Sequence, residues 1–382
     1  MRNRARPFFR FVATLLLVTL LCSLFLACNF SPYRYREIGI PHNNHFAIGS
    51  SANCAWDMIY YGEKLYIGGG DYNVNVGSMP IMTYNEVKDK WETVFTADDE
   101  EINRFLVIDG DLMVSGVDAT EDWLLGNYYV LRDESFVKYR NIPGGIHVFD
   151  MVKFGNQFFV GIGVKAGGYP VLCSGDGGTT FTPVIFEKNG FPISTQSDKQ
   201  IRTHDFFIHG GELYATLYIY NENRNDLQYE LYRYDDGRFY YHLTLLGNVH
   251  RVDINRMILS GKASFNGYTY LTTGYLYCTD TMERFDRITL PAYKNAFFYD
   301  LLIENNVLYC LAATKNAGEN PDYTVTVLKN ETGKPDDFSE VLSFTYDLPP
   351  LSFAKAGDTY YIGMGEKNGT HEKNGMILKL TP

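Results

Sequence analysis

The sequence is poor in the residues that define several common classes of protein. It has 6 Cys, 3 Trp and 14 Pro among 382 residues, and its 34 Lys and Arg are outnumbered by 45 Asp and Glu. Beyond the first thirty residues, no long window repeats apolar side chains at helical spacing. These shortages argue against a disulfide scaffold, a helical bundle and a nucleic-acid partner.

Aromatic residues and glycine are abundant instead. The chain has 30 Tyr, 26 Phe and 35 Gly. Aromatic side chains suit the pleated surface of a strand, and glycine supplies tight turns. The composition therefore predicts an all-β protein that is large enough to bury a substantial core.

The N-terminus has the pattern of a bacterial secretion signal. Four arginines within the first ten residues precede an apolar stretch over residues 11–27, and Cys28 follows at once. The run LFLAC resembles a lipobox, which implies cleavage after residue 27 and lipidation of Cys28. It departs from the usual lipobox at Phe25 and Leu26, where that motif prefers Leu and a small residue. An uncleaved signal anchor is the alternative, because 17 apolar residues are at the short limit for a membrane span.

This interpretation divides the chain into three parts. Residues 1–27 form the signal peptide, residues 28–50 a linker and closing strand, and residues 51–382 a single domain. Without the signal peptide, 30 Lys and Arg remain against 45 Asp and Glu, a formal charge of −15. We therefore expect an exported monomer in the bacterial cell envelope or on the cell surface. Its N-terminal lipid alone would hold it at the membrane. So acidic a surface would not attract anionic lipid.

A short pattern recurs along the chain. Seven segments combine a polar turn with a strand that opens on an apolar pair, and they are anchored at residues 65, 112, 158, 213, 269, 308 and 359. The intervals between the anchors are 47, 46, 55, 56, 39 and 51 residues. Each copy has room for a four-stranded antiparallel meander, which cannot bury both faces alone. The pattern predicts a seven-bladed β-propeller of four-stranded antiparallel blades.

The last copy has only three strands before the C-terminus. Residues 33–40 (YRYREIGI) lie upstream of the first copy and have no partner there. We expect this N-terminal strand to become the outer strand of the last blade and so to close the ring.

Residues 174–181 (SGDGGTTF) match the Asp-box of sialidase-like propellers, S-x-D-x-G-x-T-[WF], at every defining position. The matching residues are Ser174, Asp176, Gly178, Thr180 and Phe181. In that family the box is a turn between the third and fourth strands, in which the Asp accepts backbone hydrogen bonds and the aromatic residue lies between sheets. The resemblance implies the architecture of a blade, and it implies little about function.

A second resemblance is also local. Residues 64–70 (KLYIGGG), followed by Tyr84 and Trp91, are similar to a kelch repeat. The other copies lack the glycine pair and the tryptophan. This resemblance likewise implies a propeller blade and nothing more.

The features of an active sialidase are largely missing. Such enzymes use three arginines, a Tyr–Glu pair and an Asp, with the first arginine in an R-I-P motif. Here Arg36 is separated from Ile40-Pro41, and only one Asp-box occurs. No nucleophile elbow, HExxH, P-loop or CxxC is present. We therefore expect no recognisable catalytic set.

The repeat register predicts a polar ring. Eight residues before each anchor is the start of an innermost strand, at Asp57, Arg104, Asp150, Asp205, Gly261, Asp300 and Leu351. In a closed propeller these residues would surround the upper mouth of the central channel. Their preceding neighbours would flank it, at Trp56, Asn103, Phe149, His204, Ser260, Tyr299 and Pro350.

Two interpretations of this ring stay open. It could form an acidic funnel with aromatic walls that holds a sugar, a peptide or a cation such as calcium. Alternatively, its aspartates could accept hydrogen bonds from backbone N–H groups where one blade passes to the next. From the ring and the long loops beside it we predict a non-catalytic module that binds a glycan, a peptide or an envelope protein. A glycoside hydrolase or lyase using channel carboxylates, or a purely structural scaffold, is the alternative.

No cofactor is expected, and no residue spacing indicates a metal site. Cys54, Cys173, Cys278 and Cys310 are far apart. We expect buried, inert thiols there, although two disulfides are conceivable in an exported chain.

Overall fold

The computed structural model describes residues 32–164, 168–193, 199–221, 223, 226–250, 261–318, 321–366 and 370–382, and only the backbone at 246–250. The predicted signal peptide and Cys28 lie outside these residues. The described residues are almost entirely β-strands joined by turns, which confirms the all-β prediction. Two short 3-10 helices, Ser51–Asn53 and Pro291–Tyr293, are among the exceptions. Within the described ranges, no helix has the length and hydrophobicity needed to cross a membrane.

The strands of the first third are β1 (Arg34–Glu37), β2 (Met58–Tyr61), β3 (Lys64–Ile67), β4 (Met79–Asn85), β5 (Lys90–Ala97), β6 (Asp99–Glu101), β7 (Phe105–Ile108), β8 (Asp111–Ser115), β9 (Val117–Ala119), β10 (Leu125–Arg132) and β11 (Ser135–Pro143). Those of the middle are β12 (His147–Phe154), β13 (Gln157–Val164), β14 (Val171–Ser174), β15 (Thr182–Pro183), β16 (Ile185–Lys188), β17 (Phe191–Pro192), β18 (Lys199–Arg202), β19 (Phe206–His209), β20 (Glu212–Asn221), β21 (Asp226–Asp235) and β22 (Arg238–His250). Those of the last third are β23 (Lys262–Phe265), β24 (Tyr268–Thr272), β25 (Leu276–Thr279), β26 (Asp286–Arg287), β27 (Phe297–Glu304), β28 (Val307–Lys315), β29 (Tyr323–Asn330), β30 (Ser339–Tyr346), β31 (Pro350–Ala356), β32 (Thr359–Met364) and β33 (Ile377–Thr381).

The prediction of seven separate four-stranded blades is wrong. Five four-stranded sheets form as discrete blades: β2–β5, then β7, β8, β10 and β11, then β23–β26, then β27–β30, and finally β31–β33 with β1. The strands β6, β9 and β12–β22 form one continuous sheet of 13 strands, called here the large sheet.

The joining of strands in the large sheet has a local cause. β18 pairs on one side with β13, through Gly163↔Arg202 and Val164↔Ile201, and on the other side with the long strand β20. It therefore connects the meanders on its two sides by backbone hydrogen bonds. The repeat pattern did not reveal this, because β18 lies in a connecting segment outside the recurring motif.

The last blade, β31–β33 with β1, brings the two ends of the chain together. β1 pairs antiparallel with β33, with Arg34 opposite Thr381 and Glu37 opposite Leu378. Side chains reinforce the pairing, because Glu37 accepts hydrogen bonds from both Tyr346 and Lys373 at 2.9 Å. The N-terminal segment thus completes a sheet that the C-terminal strands leave one strand short.

The core lies between neighbouring sheets. The middle strand β28 is buried along most of its length, whereas the outer strand β5 is largely accessible. One cluster joins the first and last blades through residues such as Leu65, Ala354 and Tyr361. The middle strand β28 is therefore covered on both faces, which explains why it is more uniformly apolar than an outer strand.

The molecule has two distinct faces. On the loop face, the inner strands begin and the second strand of each blade leads to the third through longer connections. On the turn face, tight turns join the first strand to the second, as at residues 62–63, 109–110, 305–306 and 357–358. Strands alternate in direction, so all the tight turns lie at the end remote from the predicted ring.

Candidate functional site

The inner strands begin with an irregularity at several ring positions. The pairing register shifts between Val148 and Asp150 and again between Phe298 and Asp300, which marks a β-bulge before each aspartate. A bulge turns the side chains of a strand end away from the regular pleat. At both positions the aspartate then reaches the next meander along the chain.

Three of the four ring aspartates bind the backbone of the next meander along the chain. Asp57 accepts a hydrogen bond from the N–H of Phe105 at 2.6 Å, Asp150 from that of Phe206 at 2.7 Å and Asp300 from that of Phe353 at 3.1 Å. Asp57 and Asp300 also accept from the next residue in their own strand, at 2.8 Å each. One of the two interpretations of the ring was that its aspartates accept hydrogen bonds from backbone N–H groups between blades. These contacts support that interpretation for Asp57, Asp150 and Asp300.

A charged cluster occupies one side of the ring. Nη1 of Arg104 lies 3.4 Å from Asp150 and 3.0 Å from Asp205, and Lys262 forms ion pairs with the same two carboxylates. Asp205 also accepts a hydrogen bond from the hydroxyl of Tyr229 at 3.0 Å. The two cations therefore balance the two anions, which are 0% and 5% exposed.

The electrostatic state of the cations reflects this packing. Burial opposes the charged form of Arg104, but the carboxylates of Asp150 and Asp205 outweigh it and raise its pKa. Burial lowers the pKa of Lys262, against the opposing influence of Asp150. Arg104 is thus the firmly charged member of the cluster.

The other two aspartates are weaker acids than usual. Desolvation raises the pKa of Asp57 to about 6, although the hydrogen bond from Phe105 favours its charged form. Desolvation and the nearby charge of Asp57 raise the pKa of Asp300 to about 8. At neutral pH Asp57 is therefore mostly ionised and Asp300 mostly protonated.

A cavity of about 240 Å³ opens where the inner strands converge. Its wall includes five predicted ring or flanking residues that are charged or aromatic, namely Asp57, Arg104, Asp300, Trp56 and Phe149. His204 also lines it, is 3% exposed, and leaves Nε2 without a hydrogen-bond partner among the described residues. Burial and the charges of Arg202 and Arg104 lower the pKa of His204, so its ring is neutral. The cavity wall therefore combines aromatic side chains with a neutral histidine whose Nε2 is buried and has no partner among the described residues.

The remaining predicted positions behave differently. Gly261 lines the cavity, and a Cβ there would meet the backbone N of Leu301 at 2.4 Å, so the next sheet leaves no room for a side chain. Tyr299 packs against the core between two blades, and its carbonyl accepts a hydrogen bond from Thr272 at 3.2 Å. Asn103 lines the cavity and Pro350 is buried, whereas Ser260 lies outside the described residues.

The predicted position in the last blade is off by one residue. The register shifts between Pro350 and Ser352, so Leu351 is the bulged residue. Asp300 binds the N–H of Phe353, just as Asp57 binds the residue after Arg104. The equivalent of Arg104 is therefore Ser352, whose hydroxyl donates to the carbonyl of Ala55 at 2.7 Å. The same bulge precedes Asp150 and Asp300, so the error comes from the anchor: Thr359 is the first paired residue after its turn, whereas the other six anchors are the second.

Sequence reasoning missed Lys262. The residue that follows a ring position is apolar in the other inner strands, as at Met58, Phe105, Phe206 and Leu301. A lysine at an otherwise apolar position was the available signal. It indicates a buried partner of opposite charge, which the structure shows to be Asp150.

The predicted Asp-box segment is a turn between β14 and β15. Asp176 accepts hydrogen bonds from the N–H groups of Thr179 and Thr180, at 3.1 and 2.9 Å. Ser174 donates to Asp176, and Phe181 packs on the core cluster shared by the second blade and β12–β14. The hydroxyl and N–H of Thr180, followed by Ser174, hold the pKa of Asp176 well below its usual range. These contacts stabilise a turn, and none of them reaches the cavity.

A metal centre has no evident ligand set in the part of the chain that the structure describes. No group of three or more His, Cys, Asp or Glu side chains is placed there to hold an ion. A site cation such as calcium stays an untested prediction.

Comparisons with known proteins agree with the geometry only at the level of the fold. No family model matches the chain, and no curated protein matches it. Among solved structures, a chain of the mitotic checkpoint complex is 7% identical, with a TM-score of 0.50, over 91% of this chain and 94% of that one. The WD40 β-propeller domain of Doa1 is 12% identical, with a TM-score of 0.46, over 86% and 92% of the two chains.

A third similar structure is a putative oxidoreductase (glucose dehydrogenase) from Thermus thermophilus. It is 12% identical, with a TM-score of 0.42, over 91% of this chain and 99% of that one. The sheet arrangement itself, with its discrete four-stranded antiparallel blades, is that of a β-propeller, and the comparisons add only a likeness of fold. They do not show a sialidase or kelch family, so those two resemblances remain local patterns of sequence.

Proposed function

We propose that this β-propeller is a non-catalytic binding module whose ligand approaches the loop face and the channel cavity. The observation that carries the proposal is the engagement of all four ring aspartates in contacts within the protein. These contacts give each ring aspartate a structural task, either in holding a backbone N–H or in balancing Arg104. The rigid ring is better suited to support a surface than to react.

The chemistry of the cavity and loops suits a glycan, a peptide or an envelope protein. Trp56 and Phe149 provide apolar walls to the cavity, and Asn103 adds a polar side chain. The cavity of about 240 Å³ is large enough for one sugar unit or one side chain. Around it the loops expose apolar residues, including Val74 and Leu124 at 60% and 74%.

The binding proposal includes a location. A secretion signal over residues 1–27 and lipidation at Cys28 would place the propeller outside the cytoplasmic membrane, tethered by its lipid as a monomer. The charge of the chain without its signal supports this, because an acidic surface resists non-specific adhesion to nucleic acid and anionic lipid.

Binding can be tested on glycan and peptide arrays with the chain that begins at Pro32, followed by calorimetry of any hit. Leu124→Asp on the loop face should weaken the interaction at least tenfold. Val87→Asp is the matched control, since Val87 is 97% exposed in a turn on the opposite face. Equal effects of the two substitutions would contradict the assignment of the binding face.

A glycoside hydrolase is the second candidate function, and one observation favours it. Asp57 and Asp300 both line the cavity, and their pKa values of about 6 and about 8 differ as those of an acid/base pair often do. Turnover on a glycoside panel that is abolished by both Asp57→Asn and Asp300→Asn would establish this function and remove the first. The nearby pair Asp150 and Asp205 is less suitable, because Arg104 and Lys262 fill the space between these carboxylates.

A further inference from the structure

The path of the chain through the last blade determines where a membrane tether would leave the propeller. β31 starts on the loop face at Pro350, and β32 returns from the tight turn at 357–358. β33 runs antiparallel to β32, and β1 runs antiparallel to β33. Arg34, opposite Thr381, therefore lies at the turn-face end of the blade, on its outer edge.

The tether is too short to let the loop face meet the bilayer. Cys28 and Arg34 are six residues apart, and an extended chain covers at most about 3.6 Å per residue, so the reach is about 22 Å. The strand β28 has nine residues, and at about 3.3 Å per residue the loop face is about 30 Å from the turn face. If the loop face lay on the bilayer, Cys28 would stay about 8 Å short of it, and its acyl chains could not insert fully.

The turn face itself carries mostly negative charge. Exposed carboxylates there include Glu63, Asp109, Asp133, Glu134, Asp235, Asp236 and Asp358. Anionic headgroups would repel this surface within about a Debye length of 8–10 Å. The covalent tether, rather than adhesion of the turn face, would therefore set the orientation.

From this geometry we infer that the anchored propeller holds its turn face toward the membrane and presents the loop face, with the channel cavity, to the aqueous compartment. The inference rests on the proposed lipid anchor at Cys28. It assigns the loop face to a partner that arrives from solution or from another surface, and it excludes a lipid of the anchoring membrane as the ligand of the cavity.

Energy transfer to labelled lipid can test this orientation. The lipidated chain would be reconstituted into vesicles that contain an acceptor dye on the headgroups, with a donor on either Asp358→Cys or Thr370→Cys. Both residues are exposed, and they lie at opposite ends of the last blade. The four cysteines of the folded part are buried, so a maleimide dye will label the introduced thiol.

Because the six residues of β32 alone separate the two positions by at least about 20 Å, we expect roughly twofold more transfer from Asp358→Cys than from Thr370→Cys. A flexible linker of about 20 Gly and Ser residues, inserted between Cys28 and Tyr33, should remove the difference. Equal transfer without the linker, or more transfer from Thr370→Cys, would overturn the orientation while leaving the anchor intact. Failure of the chain to float with the vesicles, with no transfer at either position, would refute the anchor and the orientation together.

Discussion

At the residue scale, Arg104 is the main source of positive charge at the ring. It contacts Asp150 and Asp205 through one nitrogen and also donates to the carbonyl of His204 at 3.1 Å. These partners come from a different sheet than β7, the strand that Arg104 precedes. A single side chain therefore links the second blade to the large sheet.

Replacing Arg104 should be costly. Arg104→Met keeps much of the volume but leaves Lys262 to balance two buried carboxylates, and we expect a loss of about 3 kcal/mol in the free energy of unfolding. Urea denaturation would measure it. As the control, Arg132→Met removes an exposed ion pair with Asp111 and should cost under about 1 kcal/mol. Similar losses for the two variants would contradict a structural role for the ring cluster.

Asp300 should make stability depend on pH. Its pKa is about 8 in the folded protein because of desolvation and Asp57, against 3.8 when unperturbed. The folded state therefore binds this proton more tightly than the unfolded state does. Asp300 makes its full contribution to the free energy of unfolding below pH 3.8, and that contribution is lost as the pH rises through about 8. Asp300→Asn should flatten the fall in melting temperature between pH 5 and pH 8.5, as measured by calorimetry. An unchanged profile would place the titrating group elsewhere.

At the element scale, β1 is a short strand with a large structural effect. It covers the outer edge of β33, and Trp91 in the first blade donates to the carbonyl of Ile38, just beyond β1, at 2.8 Å. Arg36 adds contacts to Asp89 and Tyr84 of the same first blade, at 2.6 and 3.0 Å. The N-terminal strand thus holds the first and last blades together as well as completing a sheet.

Removal of β1 should open this junction. A chain that begins at Ile38 lacks the strand, whereas one that begins at Pro32 keeps it and serves as the control. We expect the shorter chain to melt at least about 5 °C lower and to aggregate more readily, because β33 becomes an unprotected edge. Scanning calorimetry and light scattering would measure the two effects. Equal melting temperatures would show that the ring does not depend on this strand.

Element boundaries also explain where prediction from the sequence failed. Counting eight residues back from each anchor located the four aspartates, with or without a bulge before them. It selected Leu351 instead of Ser352, because the anchor Thr359 is the first paired residue after its turn and the other anchors are the second. The strand β18 was invisible to the same method, since its partners β13 and β20 are known only after the chain has folded.

At the scale of the whole molecule, the burial of the cysteines shows that the sheets pack closely against one another. Cys54, Cys173, Cys278 and Cys310 are all free and buried. Burial raises the pKa of Cys173 and of Cys278 to about 11, and it raises those of Cys54 and Cys310 as well. Such thiols are protonated and inaccessible at neutral pH.

Thiol titration should therefore follow the integrity of the propeller. With Ellman's reagent at pH 8, the chain beginning at Pro32 should show almost no rapid reaction when folded and four thiols in denaturant. Fast reaction of one thiol in the native protein would indicate that a blade opens locally. Absence of thiols in denaturant would indicate disulfides.

The sequence by itself determined the all-β propeller class, the tight turns, the positions of the ring aspartates and the N-terminal strand, because local composition and alternation fix turns and strands. The number of separate blades was decided by tertiary structure, where β18 joins two meanders into the large sheet. Tertiary structure also decided the contacts of the ring. A carboxylate can meet a backbone N–H or a lysine of the next meander only once the sheets have closed around a common axis. Asp150 illustrates both levels: its place in an innermost strand was visible in the sequence, and its contacts with Phe206, Arg104 and Lys262 were not.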